Sequence, residues 1–214
     1  MSKQANKTLY FYISAFILIV FDQVTKLYFK GFSFLGMDHE GYRYGEQVPV
    51  LGDVLFWTYI ENPGMAFGIE FGWGKIFLSL FSIIAGIGLA YIIYKLRNHD
   101  KWVLSGFSLI FAGAVGNLID RVFYGVIFGE APLFYGKVVD FIQVDIPDIA
   151  FLGWTHFPVF NIADSCVTVG VSVLILFHNR LPDWDDVFPA KREDSELLNS
   201  SEVNSDNESG SNRV

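Results

Sequence analysis

Residues 76–94 have the sequence IFLSLFSIIAGIGLAYIIY, in which no side chain is charged. A helix needs about 20 mostly apolar residues to cross the roughly 30 Å hydrocarbon core of a bilayer. Three further stretches, at about 9–29, 102–119 and 160–177, have a similar length and composition. The sequence therefore predicts an α-helical integral membrane protein with four transmembrane helices.

Composition agrees with a membrane protein. The chain has 214 residues, of which 52% are hydrophobic, so it is long enough for one domain but too apolar for an ordinary soluble one. Of the formal charge of −8, the segment from Asp183 onward supplies −6, through nine acidic and three basic residues. The remaining body lacks the density of Lys and Arg that binding to nucleic acid requires. We expect residues 1–180 to form the membrane domain and residues 181–214 an acidic, disordered cytoplasmic tail.

Basic residues near the helix ends predict the orientation, because positively charged connections stay in the cytoplasm. They are Lys3, Lys7, Lys95, Arg97, Lys101 and Arg180. Both termini are therefore predicted to be cytoplasmic, with connections 30–75 and 121–159 on the opposite side. Residues 48–60, VPVLGDVLFWTYI, predict short strands and hence a small extracytoplasmic β-sheet, a cradle between helices 1 and 2. Residues 122–137 show no helical period, and we expect them at the membrane interface.

Several ionisable residues lie inside or at the ends of these helices, where each costs roughly 2.5–3.5 kcal/mol on insertion scales. Asp22 and Lys26 are four residues apart and can pair on one helix face, as a structural ion pair or an interfacial anchor. In GNLIDR at 116–121, Asn117 and Asp120 share a helix face with Arg121 one step round, which suits either a helix anchor or a binding site. In NPG at 62–64, Asn62 can cap the turn or contact a ligand.

Two further acids are more informative as a pair. Asp140 lies in VVDFI at 138–142, and Asp164 lies one turn into an apolar helix in FNIADS at 160–165. Alone, Asp164 suits a helix cap. If the two carboxyl groups approach closely, they cannot both ionise, so a water between them would have both a base and an acid. This is the requirement of aspartic proteolysis.

Two other functions can use membrane-embedded polar residues. A small proton-coupled carrier would also need intramembrane acids, but it would place them near the membrane midplane within an inverted repeat, and the sequence has no such repeat. A non-catalytic scaffold could pack its helices through GAVG at 113–116, but it leaves the two acids without a purpose. A metal site is not predicted, because Cys166 is the only cysteine and the four histidines lack ligand spacing. Those histidines are His39, His99, His156 and His178.

Five segments together resemble the lipoprotein signal peptidases (signal peptidase II), a globomycin-sensitive bacterial family. They are DQVTK at 22–26, NPGMAFG at 62–68, GNLIDR at 116–121, VVDFI at 138–142 and FNIADS at 160–165, and the resemblance covers about residues 9–178. It implies a monomeric aspartyl endopeptidase of the bacterial inner membrane that needs no cofactor. Its substrates would be diacylglyceryl-modified prolipoproteins, presented from membrane lipid and cut before the lipidated cysteine at the periplasmic face.

The same resemblance implies a role for each matching residue. Asp140 and Asp164 would be the catalytic dyad. Asn117 and Arg121 would contact the substrate backbone, and Asn161 would orient Asp164. The full set of supporting residues is Asn62, Gly64, Asn117, Arg121, Asn161 and Ala163, and the structural residues are Asp22, Lys26 and Asp120. The connection at 122–137 looks longer than the family's usual turn, and the acidic tail has no counterpart in the motifs.

Overall fold

The computed structural model of the chain describes residues 3–34, 36–64, 72–145, 157–183 and 187. Internal contacts divide the chain into two units, Met1–Arg180 and Leu181–Val214. Apart from residues 181–183 and 187, the predicted acidic tail lies outside the described residues, as do residues 65–68 of the NPGMAFG motif and His156. All of the elements that follow belong to the first unit.

Each of the four apolar stretches is helical. The helices are α1 (Lys3–Lys30), α2 (Gly72–Lys95), α3 (Lys101–Ile119) and α5 (Ile162–Leu176), with a short α4 (Gly125–Ile127) between the last two. Among the described residues, three segments are long and apolar enough to cross a membrane: Thr8–Lys30, Gly74–Lys95 and Lys101–Ile127. Helix α5 has 15 residues, which is shorter than a typical span.

Helix α3 makes its most extensive helix contact with α5. Its N-terminus is capped by Asp100, whose side chain accepts a hydrogen bond from the backbone N–H of Trp102 (2.8 Å). Near its other end, a Cβ atom on Gly113 would lie 2.2 Å from the carbonyl oxygen of Ala163. This part of the GAVG patch therefore brings the backbone of α5 close to α3, and Ala163 directly precedes Asp164.

The connection that follows α3 differs from its prediction. Instead of losing helical structure, the chain continues as a π-helical turn over Asp120–Tyr124 and then as α4. Residues 128–137 return along this turn, and the backbone N–H groups of Phe134 and Gly136 donate to the carbonyls of Val122 (3.1 Å) and Arg121 (2.9 Å). The wider π turn leaves carbonyls free for the returning chain. It also departs from the 3.6-residue period of an α-helix, so no α-helical period appears in the sequence here.

Among the described residues, five strands form two sheets. Strands β1 (Phe32–Phe34) and β2 (Met37–His39) form an antiparallel hairpin that the sequence did not predict. Strands β3 (Gln47–Leu51) and β4 (Leu55–Asn62) confirm the prediction for residues 48–60. The predicted cradle between helices 1 and 2 is incomplete, however, because its third strand, β5 (Val138–Val144), comes from beyond α3 and pairs antiparallel with β4.

Strand β5 places the central sheet against the helices. The rings of Phe29 on α1 and Phe141 on β5 are stacked with their centroids 4.3 Å apart, within a buried cluster that also contains Tyr59, Tyr124 and Val139. After β5, Phe160 pairs with Ile142, and the backbone N–H of Phe160 donates to the Ile142 carbonyl (3.0 Å). This pairing leads the chain into α5 directly beside β5, so that Asp140 and Asp164 lie on adjacent elements.

Candidate active site

Asp140 lies in the middle of β5 with only 3% of its surface exposed. Two asparagine side chains hold its carboxylate: Asn161 Nδ2 donates to Oδ1 (2.7 Å) and Asn62 Nδ2 donates to Oδ2 (3.2 Å). The antiparallel pairing of Asn62 with Val138 and of Ile60 with Asp140 brings the end of β4 to this point. Each carboxylate oxygen of Asp140 therefore has a neutral amide partner.

Asp164 lies in the first turn of α5 and is half-buried. Its backbone N–H donates to Asn161 Oδ1 (3.0 Å), and the backbone N–H of Asn161 donates to its Oδ2 (3.2 Å), which together make a capping box. Asn117 Nδ2 donates to the other oxygen, Oδ1 (2.8 Å). The helix-cap interpretation of Asp164 is therefore confirmed, and the cap also fixes the direction of the carboxylate.

An unbroken chain of amide hydrogen bonds joins the two acids. Asn161 Nδ2, besides its bond to Asp140, donates to Asn117 Oδ1 (3.1 Å), and Asn117 in turn donates to Asp164. Lys26 Nζ also donates to Asn117 Oδ1 (2.9 Å). Because a lysine ammonium can only donate, Asn117 must direct its oxygen at Lys26 and its nitrogen at Asp164. Lys26 thereby sets the direction of the amide that holds Asp164.

Burial and a neighbouring charge change the pKa of Asp140. Burial and the negative charge of Asp164 raise the pKa of Asp140 to about 7, and the hydrogen bonds from Asn62 and Asn161 oppose that shift without cancelling it. Neither acid forms an ion pair with any residue that the structure describes. Near neutral pH the site can therefore hold a proton on Asp140.

A second pair of acids, Asp22 and Asp120, contacts the backbone next to the dyad. Lys26, which is fully buried, pairs with Asp22 (2.9 Å) and with Asp120 (2.8 Å), so the predicted i,i+4 pair is confirmed. The same two carboxylates also accept hydrogen bonds from backbone N–H groups beside the dyad. Asp22 Oδ1 accepts from the N–H of Ala163 (2.9 Å), and Asp120 Oδ2, which also binds Lys26, accepts from the N–H of Val139 (3.2 Å).

Sequence reasoning missed one member of this second group. Gln23 Nε2 lies within hydrogen-bonding distance of Asp22 Oδ2 (3.1 Å) and Asp120 Oδ1 (3.0 Å), and its Oε1 accepts from the hydroxyl of Tyr124 (3.1 Å). Gln23 is part of the quoted DQVTK segment. The sequence did not predict its role, because candidate residues were recognised by the cost of inserting an ionisable side chain into a membrane and glutamine is uncharged.

The other predicted supporting residues lie around the dyad. The backbone N–H of Gly64 donates to Asn62 Oδ1 (2.9 Å), so the turn-capping interpretation of Asn62 is confirmed alongside its contact with Asp140. Gly64 has φ +84°, a conformation that favours glycine. Arg121 is the second residue of the π turn, and its buried Nε has no hydrogen-bond partner among the described residues. A buried guanidinium N–H without a partner is suited to receive a ligand carbonyl.

Comparison with known proteins identifies the family. The family model described as signal peptidase (SPase) II matches residues 14–180. The chain belongs to the signal peptidase II family. Membership makes the protein a peptidase, and nothing in the comparisons supports the membrane carrier that the sequence left open.

Relatives of this signal peptidase extend over most of its length. A lipoprotein signal peptidase of Porphyromonas gingivalis is 37% identical, with 83% of this chain and 92% of the relative covered. One from Pelodictyon phaeoclathratiforme is 36% identical, over 85% and 93%. A solved bacterial membrane enzyme, crystallised by the in meso method, is 33% identical with a TM-score of 0.59, over 83% of this chain and 94% of that one. A second has 30% identity and a TM-score of 0.60, over 87% and 93%.

Proposed function

We propose that this protein removes signal peptides from diacylglyceryl-modified prolipoproteins by cutting immediately before the lipidated cysteine, with Asp140 and Asp164 as its catalytic dyad. One observation carries the proposal: two acids on adjacent elements are joined by amides, and neither forms an ion pair with a residue that the structure describes. The names of the relatives supply the substrate class, and the family supplies the reaction.

The different environments of the two acids suggest their roles. Asp164, held by donors at the start of a helix, acts as the base and takes a proton from water. The water oxygen bonds to the scissile carbonyl carbon, while Asp140 gives its proton to the carbonyl oxygen. As the tetrahedral intermediate collapses, the carbonyl re-forms, the amide nitrogen takes a proton from the dyad, and the C–N bond breaks.

The neighbouring polar groups would hold the substrate and the acids in place. Arg121 donates to a backbone carbonyl of the substrate through its unpartnered Nε, and Asn117 and Asn161 keep the carboxylates facing the attacking water. Asn62 and Gly64 form the edge of the site at the end of β4. Since catalysis here needs only carboxyl groups and water, the reaction requires no metal or cofactor.

The proposed setting is the inner membrane of a bacterium, with both termini in the cytoplasm and the dyad at the periplasmic face. Helix α5 would make the fourth crossing together with its flanking residues, because Asn161 and Asp164 lie at one end and Arg180 at the other. Residues 1–180 would act as a monomeric membrane domain, with residues 181–214 as a cytoplasmic tail.

Cleavage by the purified full-length chain in detergent tests the proposal. Wild type should cut a diacylglyceryl-modified prolipoprotein before the lipidated cysteine, and globomycin should block the reaction. Asp164→Asn should abolish cleavage without unfolding the protein. Asp145→Asn is a matched control, because this acid lies just beyond the end of β5 and contacts Gln143 instead of the dyad. Full cleavage by Asp164→Asn would refute the proposed dyad.

A further inference from the structure

A cavity of about 400 Å³ lies away from the dyad, between the C-terminal end of α1, strand β1 and the segment that follows α3. Most of its wall is apolar, formed by Leu27, Phe34, Ile119, Ile127 and Phe128. An apolar cavity of about 150 Å³ already takes up a small hydrocarbon such as benzene and stays free of water. This cavity therefore has room for a larger apolar ligand.

The polar side chains in the wall are already bonded within the protein. Gln23 donates to Asp22 and Asp120 and accepts from Tyr124, and the hydroxyl of Ser33 donates to Asp38. A ligand with hydrogen-bonding groups would compete with these bonds. A hydrocarbon chain would leave them intact, so the chemistry of the wall favours a hydrocarbon.

The position of the cavity indicates where that chain comes from. Two of its walls belong to the membrane-spanning segments Thr8–Lys30 and Lys101–Ile127. On the same two segments, Val24 is 58% exposed and Ile127 is 59% exposed, as expected for side chains that are covered by lipid. None of the cavity residues is one of the two acids or one of their asparagine partners. A resident membrane lipid therefore fits the cavity better than the substrate does.

We propose that this cavity binds one acyl chain of a membrane phospholipid and that the chain supports the active site from behind. The link is Gln23, which lines the cavity and bridges Asp22 and Asp120. Those two carboxylates hold the backbone N–H groups of Ala163 and Val139, the residues directly before Asp164 and Asp140. The site is separate from the proposed cleavage chemistry, so it can be tested without substrate.

Photolabelling tests the occupant directly. The full-length protein is placed in nanodiscs containing a phosphatidylglycerol with a diazirine on its acyl chain, irradiated without substrate, and its adducts are mapped by mass spectrometry. Label is expected on Leu27 and Ile119 inside the cavity as well as on the exposed Val24. Leu27→Phe and Ile119→Phe, each of which places a ring in the cavity and narrows it, should lose the inner label and retain the label on Val24. Val24→Phe is the matched control and should keep the inner label.

Thermal unfolding of delipidated protein gives a second readout that does not depend on labelling efficiency. Added phosphatidylglycerol should raise the unfolding temperature of wild type and Val24→Phe, and this rise should be lost in Leu27→Phe and Ile119→Phe. Label confined to exposed side chains, or an equal rise in all four proteins, would overturn the proposal. So would displacement of the inner label by prolipoprotein in Asp164→Asn, because the occupant would then be the substrate's own acyl chain.

Discussion

Two pairs of aspartates lie on either side of Asn117, and their surroundings differ in one respect. Asp22 and Asp120 share a buried lysine, whereas Asp140 and Asp164 are connected through uncharged asparagines. We therefore expect Asp22 and Asp120 to be a structural pair. Asp140 and Asp164 are the expected chemical pair, because neither forms an ion pair with a residue that the structure describes and two close carboxyl groups oppose each other's ionisation. The presence of an ion-pair partner, and not the type of acid, distinguishes the two pairs.

The largest expected effect comes from neutralising the chemical pair. Asp140→Asn and Asp164→Asn should each lower the rate of prolipoprotein cleavage by at least about 10²–10⁴-fold, since general acid–base catalysis typically contributes that much. The unfolding temperature should fall only slightly, because asparagine keeps the shape of the side chain but loses one of the two acceptor oxygens. A rate assay paired with thermal unfolding checks both parts. A large loss of stability would show that this pair is structural, like the other.

Removing the shared cation should affect stability first. Lys26→Met leaves Asp22 and Asp120 buried without compensation and should cost about 3–5 kcal/mol of unfolding free energy. It also frees Asn117 to turn its amide away from Asp164. Denaturation in detergent measures the cost, with Lys95→Met, at the end of α2, as the control. A stable Lys26→Met protein would contradict the assignment of Asp22 and Asp120 as the structural pair.

The pH dependence near neutrality should report the chemical pair. Because the pKa of Asp140 is raised to about 7, the dyad loses its shared proton above that pH and cleavage should decline. In the unfolded chain the same group titrates near its ordinary value of 3.8, so between about pH 4 and 7 only the folded state holds the proton. Stability should therefore decrease as pH rises through this range. Asp140→Asn should remove that part of the decrease, as unfolding temperatures at several pH values would show.

Some of this arrangement could be predicted from sequence and some could not. The helices in the four apolar runs and the pairing of Asp22 with Lys26 depend on local features, and both were predicted correctly. Of the four predicted transmembrane helices, three are long and apolar enough to cross a membrane among the described residues. The pairing of β5 with β4 joins residues that are 76 to 89 positions apart, and no local pattern encodes such a partner. The hydrogen bond from Lys26 to Asn117 joins residues 91 positions apart and was not predicted, for the same reason. The π turn was missed because it breaks the 3.6-residue period by which helices are recognised.

A third carboxylate group extends the comparison to a more exposed part of the molecule. Glu61, beside Asn62 on β4, binds Lys30, Lys137 (2.8 Å) and the hydroxyl of Tyr59 (2.6 Å). Burial opposes ionisation, but hydrogen bonds from Lys137, Lys30 and Tyr59 outweigh it and lower the pKa of Glu61 to about 2. Like Asp22 and Asp120, this acid has cations beside it, and we expect it to be structural.

Glu61→Gln should therefore destabilise the protein moderately at neutral pH, by about 1–3 kcal/mol, as for other charged hydrogen bonds. The difference from wild type should be present above about pH 4.5 and should disappear as pH falls towards 2, where the native carboxylate becomes protonated. Unfolding of both proteins across this pH range is the measurement. A difference that persists unchanged at low pH would mean that packing, and not charge, accounts for it.

The smallest effect is expected at the edge of the same group. Glu130 pairs with Lys30 (2.7 Å), but its side chain is 43% exposed, and exposed ion pairs contribute only about 0.2–1 kcal/mol. Glu130→Gln should therefore change the unfolding free energy by no more than this amount and should leave cleavage unaltered. A loss as large as that of Glu61→Gln would show that exposure is a poor guide to the strength of these pairs.

The π turn over Asp120–Tyr124 places one more residue in this part of the helix than an α-helical turn would hold. Successive residues of an α-helix are rotated by about 100° because 3.6 of them complete a turn, so deleting one residue within α3 would rotate the chain after it through about that angle. Deleting one residue from the π turn would instead convert it into an α-helical turn and leave the direction of the following chain nearly unchanged. In a deletion scan, the π turn should therefore tolerate the loss of one residue better than Lys101–Ile119 does.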